Sequence, residues 1–404
     1  MKILQINAVS GIRSTGRITF EIADYLNNNC HEGYVAYSDG IPYYHGYKIG
    51  SKKDIKLHGL FSRIFGTQAY FSKISTKMLL NYIEKLNPDI IHLHNLHGNY
   101  INLELLLKYI AENDIPAVIT LHDCWFYTGK CTHYTIDNCY KWKTVCGSCP
   151  RLKKDNKSWF FDRTNKMFGD KTEWFSKIPR LAVIGVSDWI TNEARSSLLS
   201  SSKIITRIYN WIDLDIYKPV STISIRKKFD LNNKFIILGV ASGWSNTKGL
   251  DKYIDLARII SHDMVIILVG SIDKSVTLPQ NLIHINETHD IKELVEYYSV
   301  SDVFLNLSLE ESFGKVSAEA LACGTPVITN NLTANPELVG ENCGFIVESQ
   351  NPIEILKYIK DIRSKGKAYY SEYCINYARE NFNKNERISD HIVLYKSLIS
   401  SQGD

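Results

Sequence analysis

The chain of 404 residues has no long apolar run. No stretch approaches the roughly 20 consecutive apolar residues that a membrane-spanning helix needs. The first residues, Met1-Lys2-Ile3-Leu4-Gln5-Ile6-Asn7, have neither the extended apolar core nor the small-residue cleavage site of a secretory signal. Their pattern is that of a buried strand. These two absences point to a cytoplasmic protein. There is no short-period repeat and no low-complexity segment, which excludes solenoid arrays and linker-like disorder. An excess of one charge is also lacking, since the net charge is only +4.

That small number hides an asymmetry. Residues 1–210 carry 27 Lys and Arg against 18 Asp and Glu, whereas residues 211–404 carry 20 against 25. A basic half joined to an acidic half suggests two domains with different partners. At 44% apolar residues the chain can bury two cores of about 200 residues each.

Short apolar runs alternate with amphipathic stretches. Strands are expected at Ile3–Asn7, Tyr34–Tyr37, Ile90–His94, Val118–Leu121 and Leu181–Val186, then at Phe235–Val240, Val265–Gly270, Leu282–Ile285, Val303–Leu307, Val327–Thr329 and Phe345–Val347. Helical periodicity falls between them, as at Leu103–Glu112 and Ile291–Tyr298. Such alternation predicts parallel sheets covered by helices on both faces, in two doubly wound Rossmann-like α/β domains. The break falls near Asn210–Pro219. The expected organisation is therefore 1–210, 211–380 and a last helix, 381–404, returning to the first domain. A ligand belongs at the C-terminal ends of the strands.

Residues 50–87 interleave Lys52, Lys53, Lys56, Arg63, Lys73, Lys77 and Lys85 with Leu57, Leu60, Phe61, Phe65, Phe71 and Ile74. This is either a peripheral contact with an anionic membrane or a solvated helix pair with its apolar side inward. Nothing in the pattern points to nucleic acid.

The most informative segment is Ser308–Thr329. A strand runs into a loop holding Glu311, Phe313 and Gly314, then into a helix from about Lys315 carrying Glu319, then Cys323-Gly324-Thr325-Pro326-Val327. Unpaired amides of Gly314, Lys315 and Val316 at the helix start can hold a diphosphate. Glu319, one turn inside, suits ribose hydroxyls, and Glu311 suits sugar hydroxyls.

Glu311 and Glu319, separated by seven residues and set among Phe-Gly and Ala-Cys-Gly-Thr-Pro-Val, resemble the Glu-x7-Glu motif of the large retaining glycosyltransferase family of family 4 type with the GT-B fold. The resemblance extends to Gly243-Trp244-Ser245-Asn246-Thr247-Lys248-Gly249, where Lys248 matches the lysine on the donor diphosphate. The family's arginine is missing there, with Gly243 or Trp244 in its place. Ser10–Ile18 resembles the glycine-rich first loop, which implies donor contacts for Gly16 and Arg17. By the same resemblance, His122 at the end of Val118–Leu121 faces the reacting sugar. His94, Asn95, His97 and Asp123 are candidates for the acceptor side.

The resemblance implies a nucleotide diphosphate sugar donor and a glycan or lipid-linked glycan acceptor. It also implies retention of configuration, no catalytic metal and a role in cell-surface polysaccharide or lipopolysaccharide biosynthesis. An epimerase or phosphorylase on the same fold and a non-catalytic sugar-binding subunit are the other readings.

Five of nine cysteines fall in a loop-rich insertion, 123–168. Cys146 and Cys149 have Cys-x2-Cys spacing, so Cys131, Cys139, Cys146 and Cys149 are a candidate structural zinc set. Free thiols and disulfides are the alternatives. The insertion's aromatics suit sugar stacking or a small core.

Overall fold

The computed structural model describes residues 1–286, 288 and 290–400. The chain folds as two units. One comprises Met1–Ile208 together with the chain from Ile388 on, and the other is Tyr209–Arg387.

The first unit holds a seven-stranded sheet of β1 (Lys2–Ser10), β2 (Glu32–Gly40), β3 (Gly46–Lys48), β4 (Ile90–Leu93), β5 (Ala117–Leu121), β6 (Leu181–Gly185) and β7 (Ile204–Arg207), in the order β3-β2-β1-β4-β5-β6-β7. The second holds six strands, β8 (Phe235–Gly243), β9 (Met264–Ser271), β10 (Leu282–Ile285), β11 (Val303–Asn306), β12 (Val327–Asn330) and β13 (Gly344–Val347), in the order β10-β9-β8-β11-β12-β13. All of these pairings are parallel. In both sheets the order reverses beside the first strand of the unit, which leaves a switch point at the C-terminal strand ends.

The sheets are covered on both faces, so their strands are apolar almost throughout. Ile3, Leu4 and Ile6 in β1, and Ile236, Ile237 and Leu238 in β8, are fully buried. Two strands lie outside the sequence expectation. β3 has three residues, and β7 (Ile204-Ile205-Thr206-Arg207) is only half buried at a sheet edge. Neither forms a continuous buried run.

The last helix, Lys384–Ser400, crosses the division between units. Lys384 Nζ pairs with Asp213 Oδ2 at 3.1 Å in the second unit. Eleven residues on, the Tyr395 hydroxyl is bonded to His92 Nδ1 at 2.7 Å in the first. The break falls at residues 208–209 and 387–388 rather than at 210 and 380. A separate helix, Lys367–Phe382, precedes the last one.

Candidate functional site

In the second unit, the loop after β11 is held by an amide network. Asn306, the last residue of β11, donates through Nδ2 to Ser317 Oγ at 3.0 Å, and its Oδ1 accepts from the Ser308 amide at 3.2 Å. Asn330 and Asn335 both donate to the Ser308 carbonyl, at 2.9 and 2.8 Å. These three asparagines are buried, so their polar groups need the internal partners that they find. The loop leads into the helix Lys315–Ala322 through Gly314, whose φ of 87° lies in the left-handed region. The Ser317 amide donates to the Gly314 carbonyl, so the amides of Gly314, Lys315 and Val316 form the leading turn of the helix.

Glu319 is 6% exposed, and the Tyr298 hydroxyl donates to its Oε2 at 2.8 Å. That bond anchors a carboxylate one turn below the helix start. The loop is also tied to the segment before the helix Leu250–Ala257. The Leu309 amide donates to the Thr247 carbonyl at 2.9 Å. Gly249 sits so close that a Cβ there would stand 2.7 Å from Leu307 Cβ. This approach places Lys248 Nζ 2.5 Å from Glu311 Oε1, with both side chains partly exposed.

Lys248, Glu311, Glu319 and the amides at 314–316 therefore share one loop-and-helix cradle. Phe313 is a correction. Its side chain is 2% exposed and packs against Tyr209 and Phe382 at 5.9 and 5.4 Å, so it serves the core rather than a ligand. Trp244 supplies no substitute for the family's arginine. It is buried, and its indole N–H donates to the Val269 carbonyl at 3.1 Å.

In the first unit, three neighbouring strands deliver a hydrogen-bonded row. Gln5 of β1 donates through Nε2 to the Thr19 carbonyl at 3.1 Å, which leaves Oε1 to accept from His94 Nε2 at 2.8 Å. His94 Nδ1 must then be an acceptor, and it takes the proton of His122 Nε2 at 3.0 Å. A backbone carbonyl thus fixes both tautomers. Lost solvation around the His122 ring pushes its pKa down to about 4, and complete burial pushes His94 well below the usual range. Both rings are neutral at ordinary pH.

Next to them, His97 Nε2 donates to Asp123 Oδ2 at 2.9 Å, and the Trp125 amide donates to Asp123 Oδ1 at 2.8 Å. Burial works to raise the Asp123 carboxyl, but the His97 ring and the Trp125 amide outweigh it and hold the carboxyl below the usual range. Asn95 is held through its own amide by Asn7 Oδ1 at 3.1 Å. Gly16 is buried, where a Cβ would lie 3.2 Å from the Val9 carbonyl oxygen, and Arg17 is on the exposed face of the helix Arg13–Asn28. Sequence reasoning missed Gln5, Asn306, Asn330, Asn335 and Tyr298. A polar residue inside an otherwise apolar strand, as at Gln5 and Asn306, was the signal available.

Cys131, Cys139, Cys146 and Cys149 line one cavity of about 20 Å³, and none of the four is in a disulfide. Among the described residues no group of three or more His, Cys, Asp or Glu is placed to hold a metal ion. The insertion has a packed core of its own. Trp125, Tyr127, Tyr134 and Trp142 are buried together. Lys171 Nζ lies 3.6 Å over the Trp125 ring and donates to the carbonyls of Trp125 and Thr128. Trp159 and Tyr140 alone of the aromatics at 125–159 are largely exposed.

Two family models cover the chain. The one described as Glycosyltransferase Family 4 matches residues 15–216, and Glycosyl transferases group 1 matches residues 221–381. The chain belongs to the GT-B glycosyltransferases of family 4 type. It is similar to the putative colanic acid biosynthesis glycosyl transferase WcaC of Escherichia coli K12, with 22% identity over 78% of this chain and 76% of that protein. It is 25% identical to the N-acetyl-alpha-D-glucosaminyl L-malate synthase of Bacillus anthracis, over 83% of this chain and 81% of the other. HepE of Anabaena, solved with UDP and glucose, superposes with a TM-score of 0.66 and 17% identity, over 98% of this chain and all of that one. This glycosyltransferase has no described helix long and apolar enough to cross a membrane.

Proposed function

We propose that the protein transfers a hexose from a nucleoside diphosphate sugar to a hydroxyl of a glycan or lipid-linked glycan, with retention of configuration, in the synthesis of a cell-surface polysaccharide. The observation that carries this reading is the cradle of the second unit. A mobile cation, a helix start and two carboxylates match the three parts of such a donor. The diphosphate takes Lys248 and the amides of Gly314, Lys315 and Val316. Charge developing on the leaving diphosphate is met by groups already in place, which is where most catalytic stabilisation arises. Glu319 takes ribose hydroxyls, and Glu311 takes hydroxyls of the sugar. These assignments need no metal. By the family resemblance His122 is assigned to the reacting sugar, and Asp123 and His97 to the acceptor side.

The acceptor's lipid end suits a peripheral site at the inner face of the plasma membrane. The helices Lys52–Phe65 and Lys73–Leu86 expose Leu57, Phe61, Phe65, Ile74 and Met78 beside Lys52, Lys53, Lys56, Lys73 and Lys77. Apolar side chains set among lysines are the pattern of an interfacial surface.

A panel of nucleotide sugars, read by nucleoside diphosphate release with and without bacterial glycolipid, tests the reading. Release that depends on the glycolipid, with an axial or equatorial bond matching the donor, is the expected result. Donor conversion without any acceptor would replace transfer by epimerisation.

A further inference from the structure

The first unit holds a second recess that none of these assignments uses. It encloses about 460 Å³, within the roughly 300–1,000 Å³ of small-molecule sites. One wall is the helix Lys52–Phe65, through Gly59, Ser62 and Arg63, and the other is the insertion, through Asp155, Asn156, Lys157 and Trp159. Gln68 and Asn99 also line it.

The walls are fixed to one another. The Trp159 amide donates to the Arg63 carbonyl at 2.7 Å, and Ser158 donates through its amide to the Leu152 carbonyl and through its hydroxyl to the Phe161 carbonyl. Asn156 is tied by its Nδ2 to the Lys130 carbonyl at 3.1 Å. The recess is therefore shaped before any ligand arrives, which lowers the entropy lost on binding.

Its lining has the chemistry of a sugar site. Trp159 is 42% exposed and offers a flat apolar face. Asn99 and Asn156 offer planar amides. The Ser62 hydroxyl, in a side chain nine-tenths buried on this wall, has no hydrogen-bond partner in the protein. A buried hydroxyl without a partner costs stability unless something else supplies one.

The charge is uneven as well. Asp155 is neutralised by Arg151 at 2.9 Å, whereas neither Arg63 nor Lys157 is ion-paired among the described residues. Two cationic residues of the lining are thus left without an ion pair. Its wall also leads toward the acceptor side. Gln68 donates to the His97 carbonyl at 2.8 Å and accepts the Trp125 indole N–H at 2.6 Å, and the His97 ring holds Asp123, the neighbour of His122.

We propose that this recess is an acceptor subsite for an acidic saccharide unit, one carrying a carboxylate or phosphate, distal to the hydroxyl that receives the new sugar. The ring stacks on Trp159, its hydroxyls take Ser62, Asn99 and Asn156, and its anionic group takes Arg63 and Lys157. This rests on the glycosyltransferase reading above and adds a substrate class to it.

The test uses the full chain and three soluble probes: methyl glucuronide, glucose 6-phosphate and neutral methyl glucoside. Binding is read by ligand-observed NMR and calorimetry. The acidic probes should bind about tenfold more tightly than the neutral one, and Trp159→Ala and Arg63→Ala should each remove about a tenfold share of that affinity. Gly59→Leu should block the recess, whereas Gly59→Ala should not, because a Cβ at Gly59 meets Asn99 Nδ2 only at an ordinary 3.5 Å. Unchanged UDP binding and melting temperature show that the variants are folded. Equal binding of acidic and neutral probes, or a Gly59→Leu chain that binds as well as wild type, would overturn the proposal. So would a response to anionic phosphatidylglycerol vesicles alone. UDP binding in the same preparation reports separately on the donor assignment, so loss of one leaves the other readable.

Discussion

Lys248 Nζ and Glu311 Oε1 stand 2.5 Å apart, joining the segment after β8 to the loop after β11. Glu311 holds the ammonium where the donor diphosphate is assigned. On the proposed assignment, binding the donor exchanges a carboxylate partner for a phosphate partner on the same lysine.

The exchange makes the two residues distinguishable. Lys248→Met should lower kcat/KM by about 10² to 10³, the usual cost of losing a group that stabilises developing negative charge. It should also weaken UDP binding. Glu311→Gln keeps the lysine but removes its competitor. It should bind UDP more tightly than wild type, by calorimetry, while sugar transfer falls. A Glu311→Gln chain with weakened UDP binding would show that the pair acts as a unit for the diphosphate.

The row from Thr19 through Gln5 and His94 fixes His122 as the Nε2–H tautomer, so Nδ1 is its basic nitrogen. Long-range proton–nitrogen NMR on histidine-labelled protein should show that form. His94→Phe keeps a ring but removes the acceptor. It should mix the His122 tautomers and lower kcat about tenfold with little change in KM, as expected when orientation rather than binding is lost.

Cys131 donates its thiol proton toward Cys149, and this bond more than offsets the effect of burial, bringing Cys149 down to about 7. Cys149 should be the first of the insertion's thiols alkylated by iodoacetamide near neutral pH, by peptide mass spectrometry. Cys131→Ala should move that reactivity to higher pH.

Lys171 is fully buried, and burial lowers its pKa from 10.5 to about 7. Between those values the unfolded chain holds a proton that the folded chain does not. Stability from this group should therefore rise as pH increases from about 7 toward 10.5, and its burial cost is fully present below 7. Denaturant midpoints measured across that range should climb, and Lys171→Met should flatten the climb.

Most of this architecture could be read from the chain because parallel strands buried on both faces are written as apolar runs. Leu282–Ile285 and Leu103–Glu112 match the expected bounds to the residue. The loop and helix start after β11 were legible because one short segment carries Glu311, Gly314 and Glu319. The supporting polar groups were not. Gln5 acts through His94, 89 residues away in sequence, and Tyr298 reaches Glu319 from another helix. Such partners are set by sheet order and helix packing, which no local pattern records. Phe313 misled for the opposite reason, since its neighbours in sequence line the cradle while its ring turns to Tyr209 and Phe382.

The helix Lys384–Ser400 has a consequence for recombining such enzymes. A chimera cut once, near residue 209, would pair His92 with a foreign helix and lose the Tyr395 hydroxyl that now meets it. The first unit is thus heritable only as two separate pieces of gene, and an exchange of the second has to be cut twice, once on each side of Tyr209–Arg387.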